Sequence, residues 1–373
     1  MENYRKTYAH ISLTNFISNI HTFKNRLSDS TKLMAVVKAD AYGHGAVKMS
    51  QVAIENGADY LAVAILEEAL ELRKAGITAP ILVLGPTTMD GLQPAIDTNI
   101  TLTIFKKETA QALVKLAKHS SQKPLVHLKI DTGMTRIGVR SGKEALEIVE
   151  ILQAGGISAE GIFTHFADAD NVTNLDYTDK QYHTFVAILN YLNQQGFSFP
   201  IQHCANTATV YTRQEYQLDM VRIGIGLYGY APDKKLLAAL SLKPVLTLVT
   251  HPSFIKHVPK GQSIGYSCTY KTTDEATIAT LPIGYADGLP RQLTNAGSLF
   301  HQGIQLPIVG RVCMDQTMID STLAPHLAED SELVLFGDRP STQTAIFTIA
   351  EFTQTNHYAI LCGITNRVPR YYE

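Results

Sequence analysis

Several ionisable side chains stand at the ends of short apolar runs in the first 230 residues: Lys38, Lys129, Asp131, Arg136, His165, His203 and Arg222. A lysine in such a place is usually a surface residue whose aliphatic stem packs on the protein. Where burial and neighbouring cations lower its pKa, however, the neutral amine can attack an aldehyde. Lys38 follows the apolar residues Met34, Val36 and Val37. It is therefore our candidate for nucleophilic chemistry.

A second set of residues could bind phosphate. Residues 206–209 (Asn-Thr-Ala-Thr) and 224–226 (Gly-Ile-Gly) follow two later apolar runs. Hydroxyl groups and the backbone N–H groups that glycine leaves accessible are suitable phosphate donors, although a Gly-x-Gly segment is also typical of a tight turn. A reactive lysine beside a phosphate site is what pyridoxal phosphate requires.

The elements that must position these residues follow one repeated pattern, a short β-branched run and then a segment with helical spacing. Strands are predicted at residues 33–38, 60–64, 81–85, 102–105, 125–131, 159–165, 201–206 and 220–225. Helices are predicted at residues 46–56, 67–75, 107–119, 142–154 and 176–195. Eight alternating strands predict a parallel (β/α)8 TIM barrel, whose reactive groups and phosphate sites lie at the carboxyl ends of the strands. An open doubly wound sheet is the alternative, but no GxGxxG follows the first strand.

The pattern of predicted elements changes after Ala239, where the predicted helices become rare. Predicted strands at 245–249, 253–257, 277–281, 306–312, 318–320 and 333–336 are separated by Gly, Pro and Asp turns, with one helix predicted at 344–355. We therefore predict a barrel domain over residues 10–239 that binds the cofactor. A mainly β domain would follow over 240–373, with residues 1–9 packed on it.

Composition excludes several classes of protein. The 18% of charged residues give a net charge of −2 without a basic run, so we expect no nucleic-acid or membrane partner. The histidines show no HExxH spacing, and we expect no metal site. The four cysteines are far apart, which is typical of reduced thiols, and residues 1–13 lack an apolar segment. A cytoplasmic protein is expected.

Nine segments of the chain resemble the bacterial alanine racemases, a family of fold-type III pyridoxal-phosphate enzymes. They are residues 36–45, 127–138, 164–166, 203–206, 221–224, 264–266, 281–288, 310–315 and 367–370. The resemblance implies a barrel followed by a β domain. It also implies a head-to-tail homodimer in which the β domain of one chain completes the active site of the other. The implied activity is the interconversion of L-alanine and D-alanine, which supplies D-alanine for cell-wall peptidoglycan.

The resemblance also implies two catalytic bases. Lys38 would carry the cofactor as a Schiff base and act on one face of the substrate, and Tyr266 of the partner chain would act on the other. Racemisation needs one base to remove the α-proton and another to return a proton from the opposite side. The ordinary pKa of tyrosine is near 10, so nearby cations or hydrogen bonds would have to shift it.

Further residues are expected to hold the cofactor: Tyr42, His165, Asn206, Thr207, Arg222, Gly224 and Ile225. Arg222 would face the pyridine nitrogen, with His165 beside it. Because arginine stays protonated, it leaves no proton on that nitrogen, and the ring is a weaker electron sink. This arrangement favours racemisation over transamination. A structural ion pair for Arg222 and a core role for Tyr42 are the alternatives.

The substrate end is expected to contain Arg136, which would face the phenolic oxygen of the cofactor and the substrate carboxylate. Lys129 resembles a lysine that the family carries N-carboxylated and that holds this arginine. An unmodified lysine there would repel Arg136. Tyr285, Met314 and Asp315 of the partner chain would line the same end.

Two positions depart from the family pattern. Thr207 stands where serine is common, which preserves the hydroxyl donor. Asn366 stands where a tyrosine usually narrows the site. The shorter amide leaves room and hydrogen-bonding capacity near the substrate side chain, and we predict that serine is racemised as well as alanine.

Rival functions remain open at this point. A broader racemase or a fold-type III decarboxylase would share the two-domain plan, although Arg222 with Lys129 and Arg136 favours the alanine type. A non-catalytic cofactor carrier would be a single barrel without a β domain and without Tyr266.

Overall fold

The structure, a computed structural model, describes residues 4–236, 240–339 and 341–373. Backbone contacts divide the chain into two compact units. The barrel unit comprises Ile17–Ala41 and Gly45–Leu242, and the β unit comprises Met1–Phe16, Tyr42–His44 and Lys243–Glu373. The domain boundary predicted at Ala239 lies outside the described residues.

The barrel unit is built on eight parallel strands; the first strand of the chain, β1 (Thr7–Ile11), belongs to the β unit. The barrel strands are β2 (Lys32–Val36), β3 (Tyr60–Val63), β4 (Ile81–Val83), β5 (Thr101–Ile104), β6 (Leu125–Lys129), β7 (Gly161–Phe163), β8 (Ile201–His203) and β9 (Met220–Ile223). Neighbours pair in chain order from β2 to β8, and β9 pairs with β2. The backbone N–H of Arg222 donates to Ala205 (3.0 Å), which links the β8 and β9 sides. The predicted barrel is confirmed, and the open sheet is wrong.

Helical segments alternate with these strands: α1 (Leu13–Lys24), α2 (Lys38–Gly43), α3 (Ala46–Glu55), α4 (Leu66–Lys74), α5 (Leu92–Asp97), α6 (Lys107–Ala117), α7 (Gly142–Ala154), α8 (Asp176–Gln194) and α9 (Thr209–Thr212). Helix α7 shows why such a segment forms. The Ser141 hydroxyl accepts a hydrogen bond from the Glu144 backbone N–H (3.2 Å), while the Glu144 carboxylate accepts from the Arg140 N–H (2.8 Å). These bonds satisfy N–H groups that the helix cannot pair.

The β unit contains a six-stranded sheet in the order β16-β15-β18-β10-β1-β19. Its strands, besides β1, are β10 (Leu246–Thr250), β15 (Ser298–His301), β16 (Ile304–Pro307), β18 (Leu333–Phe336) and β19 (Arg370–Tyr372). A three-stranded sheet consists of β11 (Phe254–Val258), β14 (Ala276–Leu281) and β17 (Thr317–Asp320), and a ribbon of β12 (Ser263–Ile264) and β13 (Tyr270–Lys271). Two helices, α10 (Ala345–Phe352) and α11 (His357–Cys362), complete the unit.

Within the described residues, none of the helices combines the length and the apolar character needed to cross a bilayer.

Candidate active site

Lys38 follows β2 and opens a segment with an unusual backbone. β2 ends at Val36, two residues earlier than the strand predicted from the sequence. The four residues 39–42 all have φ near +53°, so α2 is wound left-handed. This conformation costs about 1–2 kcal/mol per L-residue. Strain of this kind is concentrated at functional sites, and here it directly follows a partly buried lysine.

Carboxylates hold this strained segment in place. Glu68 accepts hydrogen bonds from the backbone N–H groups of Ala39 (2.6 Å) and Ala64 (2.7 Å). The Asp40 side chain accepts from the Ala46 N–H at the start of α3 (2.7 Å). Because these bonds join the segment to β3, α3 and α4, the barrel fixes the place where Lys38 leaves the backbone.

Arg222, on β9, is almost completely buried at 4% exposure. Its guanidinium donates to His203 Nδ1 (2.8 Å) and to the backbone carbonyls of Thr164 (2.8 Å) and Cys204 (3.0 Å). Its Nη2 lies 3.3 Å from His165 Nδ1. Burial lowers the pKa of Arg222 to about 10, so the group remains a cation at neutral pH.

Lys129 ends β6 and is buried, with Nζ donating to the carbonyl of Ile130 (2.7 Å). Burial, then the charge of Arg222 and more weakly that of Arg136, lower the pKa of Lys129 to about 7, against the opposing effect of Asp131. A large fraction of the amine is therefore neutral near pH 7. The charge of Arg136 acts on Lys129 in the direction expected for an unmodified lysine, since it disfavours the protonated amine.

His165 lies near these basic side chains. Four basic groups act on it electrostatically when they are protonated: Arg222, Lys129, Arg136 and Lys38. Burial and these charges keep the pKa of His165 well below its ordinary value. The imidazole is consequently neutral, and the surrounding set of cations is suited to binding an anionic group.

The candidate phosphate donors after β8 and β9 lie next to one another. The Gly224 N–H donates to the Thr207 hydroxyl (3.3 Å), and Ile225 begins a single 3-10 turn, Ile225–Tyr228. The Asn206 side chain accepts from the backbone N–H of Ala208 (3.0 Å), which shapes the other loop. A barrel positions phosphate sites after these same two strands.

Tyr42 belongs to the β unit, where its ring lies 6.0 Å from that of Tyr358. Burial, followed by the proximity of Tyr358 and Cys362, raises the pKa of the Tyr42 phenol. Its hydroxyl therefore stays protonated at neutral pH.

The β unit contains an open cavity of about 1380 Å³, lined by residues that include Tyr266, Tyr285, Met314 and Asp315. Tyr266 is 72% exposed and follows Gly265, whose φ is +72°. This cavity brings together four of the residues that the sequence assigned to the partner's contribution.

Asn366 is exposed on the segment before β19. Its neighbour Arg367 forms an ion pair with Asp315 (2.8 Å), one of the residues that line the cavity.

The sequence did not assign roles to three polar residues inside the barrel. His203 accepts from Arg222, its other nitrogen lies 2.9 Å from His127, and His127 lies 3.5 Å from Glu160. The two-residue spacing of His127 and Lys129 on one strand was the available signal, since alternate strand residues share a face.

The chemistry of the donor set indicates what kind of ligand it could hold. Among the described residues, no group of three or more His, Cys, Asp or Glu side chains is arranged to hold a metal ion. The cations near His165 and the hydroxyl and amide donors after β8 and β9 are instead complementary to a phosphorylated, anionic ligand.

Two family models match the chain: "Alanine racemase, N-terminal domain" over residues 11–232 and "Alanine racemase, C-terminal domain" over 245–372. Alanine racemase 1 of Oceanobacillus iheyensis is 45% identical over 99% of both chains. Alanine racemase 2 of the same organism is 47% identical over 99% of this chain and 94% of its own. The crystal structure of alanine racemase from Bacillus anthracis with bound L-Ala-P has a TM-score of 0.93 at 39% identity, covering 100% of this chain and 96% of that one. The complex of the Clostridium difficile 630 alanine racemase with cycloserine has a TM-score of 0.92 at 37% identity, with the same coverage.

Proposed function

Because the chain belongs to the alanine racemase family, we propose that it interconverts L-alanine and D-alanine with pyridoxal 5′-phosphate as cofactor. The observation that carries this proposal is the position of Arg222, buried in the barrel with Nη2 3.3 Å from His165; Lys38 also acts electrostatically on His165. The D-alanine formed would serve cell-wall peptidoglycan synthesis. Cys204, Cys268 and Cys313 form no disulfide among the described residues, which supports a cytoplasmic location.

The barrel unit would supply most of the cofactor site. Lys38 would bind pyridoxal phosphate covalently, and Arg222 would face its pyridine nitrogen with His165 alongside. The phosphate would be held by donors of the two loops and by one tyrosine: Asn206, Thr207, Gly224, Ile225 and Tyr42. When bound, the cofactor withdraws electrons from the substrate α-carbon and so eases loss of its proton.

The protein's own groups would move that proton and hold the substrate. Lys38 would act on one face of the α-carbon and Tyr266 of the partner chain on the other, which inverts the centre. Arg136 would bind the substrate carboxylate, a pairing that charge-assisted hydrogen bonds stabilise. Tyr285, Met314 and Asp315 of the partner would enclose the substrate end.

We further propose that Lys129 is N-carboxylated. The neutral amine attacks the carbon of CO2 and releases a proton to water, which leaves a carbamate anion. Because its pKa is about 7, this lysine has the neutral form available at physiological pH. A negative charge here would replace the repulsion from Arg136 and Arg222 by attraction. With 13C-labelled bicarbonate, a carbamate carbon signal that Lys129→Gln abolishes is expected.

A subunit-mixing experiment tests both the activity and the shared active site. Lys38→Ala and Tyr266→Phe homodimers should each be nearly inactive. Unfolded together and refolded, they should recover about a quarter of wild-type activity, because half the dimers are mixed and each has one intact site. Recovery fails if Tyr266 serves the barrel of its own chain. Wild-type protein that leaves L-alanine unchanged would contradict the racemase activity itself.

Asn366 supports a finer proposal, that L-serine is also racemised. The test is the formation of D-serine by the wild-type protein beside the formation of D-alanine. Serine turnover below detection together with normal alanine turnover would contradict it.

A further inference from the structure

A line of polar contacts crosses the interior of the barrel, from Arg222 towards the amino-terminal ends of the strands. Arg222 Nη1 lies 2.8 Å from His203 Nδ1, and His203 Nε2 lies 2.9 Å from His127 Nδ1. His127 Nε2 then lies 3.5 Å from the carboxylate of Glu160, the residue before β7. The line starts in β9, passes through β8 and β6, and ends at the amino-terminal end of the barrel strands, opposite the end near Lys38.

The direction of hydrogen-bond donation along this line is set at the Arg222 end. A guanidinium only donates, so His203 Nδ1 must accept. Burial and the charge of Arg222 keep the pKa of His203 well below its ordinary value, so the ring is neutral and its single proton is on Nε2. That proton is donated to His127 Nδ1.

The same reasoning continues to Glu160. Burial keeps the pKa of His127 low, so this ring is also neutral, and its proton lies on Nε2. This fully buried nitrogen makes no hydrogen bond within the described residues. The Glu160 carboxylate, 3.5 Å away, is the acceptor that faces it. Its carboxylate stays ionised because contact with His127 lowers its pKa, and it also accepts from the Tyr60 hydroxyl (2.9 Å).

Packing prevents the two rings from turning to other partners. The His203 ring stacks on Phe163, with centroids 4.7 Å apart and planes 10° from parallel. The His127 ring occupies the space that a side chain at Gly161 would need, since a Cβ there would lie 2.6 Å from ring atoms. With both rings packed in this way, we expect a change at the Glu160 end to appear as a change in proton position.

We propose that Glu160 is a positioning residue for racemisation. Its carboxylate fixes the protons of His127 and His203 on Nε2, which keeps His203 Nδ1 free to accept from Arg222 and fixes the direction of the guanidinium. Without the Glu160 carboxylate as acceptor, the proton of His127 could move from Nε2 to Nδ1. It would then point at the proton on His203 Nε2, and the hydrogen bond between the two rings would be lost. Its effect on catalysis rests on the proposed function, whereas the proton positions do not.

The experiment combines proton positions with kinetics in the holoenzyme. Neutron diffraction on deuterium-exchanged crystals should show deuterium on Nε2 of both histidines in the wild type. Glu160→Met should move deuterium to Nδ1 of at least one histidine and lower kcat about tenfold, with a smaller change in KM. Glu160→Gln keeps an acceptor oxygen and should restore both proton positions and most of kcat.

Tyr60→Phe is the matched control. It removes a hydrogen bond to the same carboxylate and leaves the acceptor for His127 in place, so it should lower Tm without moving either proton or changing kcat. Deuterium on Nδ1 of His203 in the wild type would overturn the proposal, and this measurement needs no variant. So would a Glu160→Met enzyme with kcat within twofold of the wild type. Wild-type protein with the expected proton positions and no alanine racemisation would instead contradict the proposed function.

Discussion

The barrel unit and the β unit present their candidate residues in opposite ways. In the barrel, Arg222 and Lys129 are buried, and their hydrogen bonds are made within the unit. In the cavity of the β unit, Tyr266 is 72% exposed and Met314 is 52% exposed. The barrel unit has its polar candidate residues fixed by burial, and the β unit leaves its candidate residues accessible.

Because of this difference, we expect substitutions in the two units to affect stability and activity differently. A buried polar group is coupled to folding because leaving its partner unpaired costs about 1–3 kcal/mol. An exposed side chain away from such networks changes stability by about 0.5 kcal/mol or less. Substitutions of the buried barrel residues Arg222 and Lys129 should therefore affect folding and activity together. Substitutions of the exposed residues in the cavity of the β unit should affect activity alone.

The largest effect is expected at Lys38, which is only partly buried. Lys38→Ala should lower the rate of alanine racemisation by about 10³-fold or more, because under the proposed function covalent cofactor binding and one base are lost together. Chiral chromatography measures the rate, and the visible absorbance of bound cofactor reports the loss of the covalent link. The exposed Lys48→Ala on α3 is the control. Retained racemisation in Lys38→Ala would contradict a catalytic role for Lys38.

Tyr266→Phe should show activity loss without stability loss. We expect racemisation to fall by about 10²-fold or more and Tm to stay within about 1 °C of the wild type. Exchange of the α-proton with deuterated solvent should persist for one enantiomer, because under the proposed function Lys38 still serves its own face. Tyr270→Phe, on β13, is the matched control. Equal loss of exchange for both enantiomers would contradict the two-base assignment.

Lys129 should make stability depend on pH. Its pKa is about 7 when folded and about 10.4 in an unfolded chain, so between these values the unfolded chain binds more protons. Stability should then rise with pH across that window, by up to about 1.4 kcal/mol per pH unit. Measured without CO2 or bicarbonate, so that the Lys129 side chain stays a free amine, Lys129→Met should lack this increment. Urea unfolding from pH 7 to 10 measures it; identical slopes in wild type and variant would contradict the burial of a titrating amine.

The smallest effect is expected at Asn366, an exposed residue of the β unit. Asn366→Tyr should lower serine turnover relative to alanine turnover about fivefold, because a larger side chain narrows the substrate end. The ratio of the two kcat/KM values measures this preference, and Tm should not change. A ratio equal to that of the wild type would show that Asn366 does not select the substrate.

The alternation of strands and helices could be predicted from the sequence because the pattern of apolar residues reflects local burial. Parallel barrel strands are covered on both faces, so they appear as continuous apolar runs, as in β3, where all four residues are buried. The same runs identified the strand ends and hence Lys38, Lys129 and Arg222. Strand β1 was missed, because it pairs with β10 and β19 from distant parts of the chain, and a five-residue segment contains no sign of its partners.

The fold class and the chemical types of the candidate residues thus follow from short-range periodicity and from motifs. Three features depended on the folded chain: the left-handed turn after Lys38, the pKa of Lys129, and the line of contacts from Arg222 through His127 to Glu160. Each depends on residues far apart in sequence. Burial and electrostatic coupling act over a few ångströms of space, and only closure of the sheet brings those residues within that range.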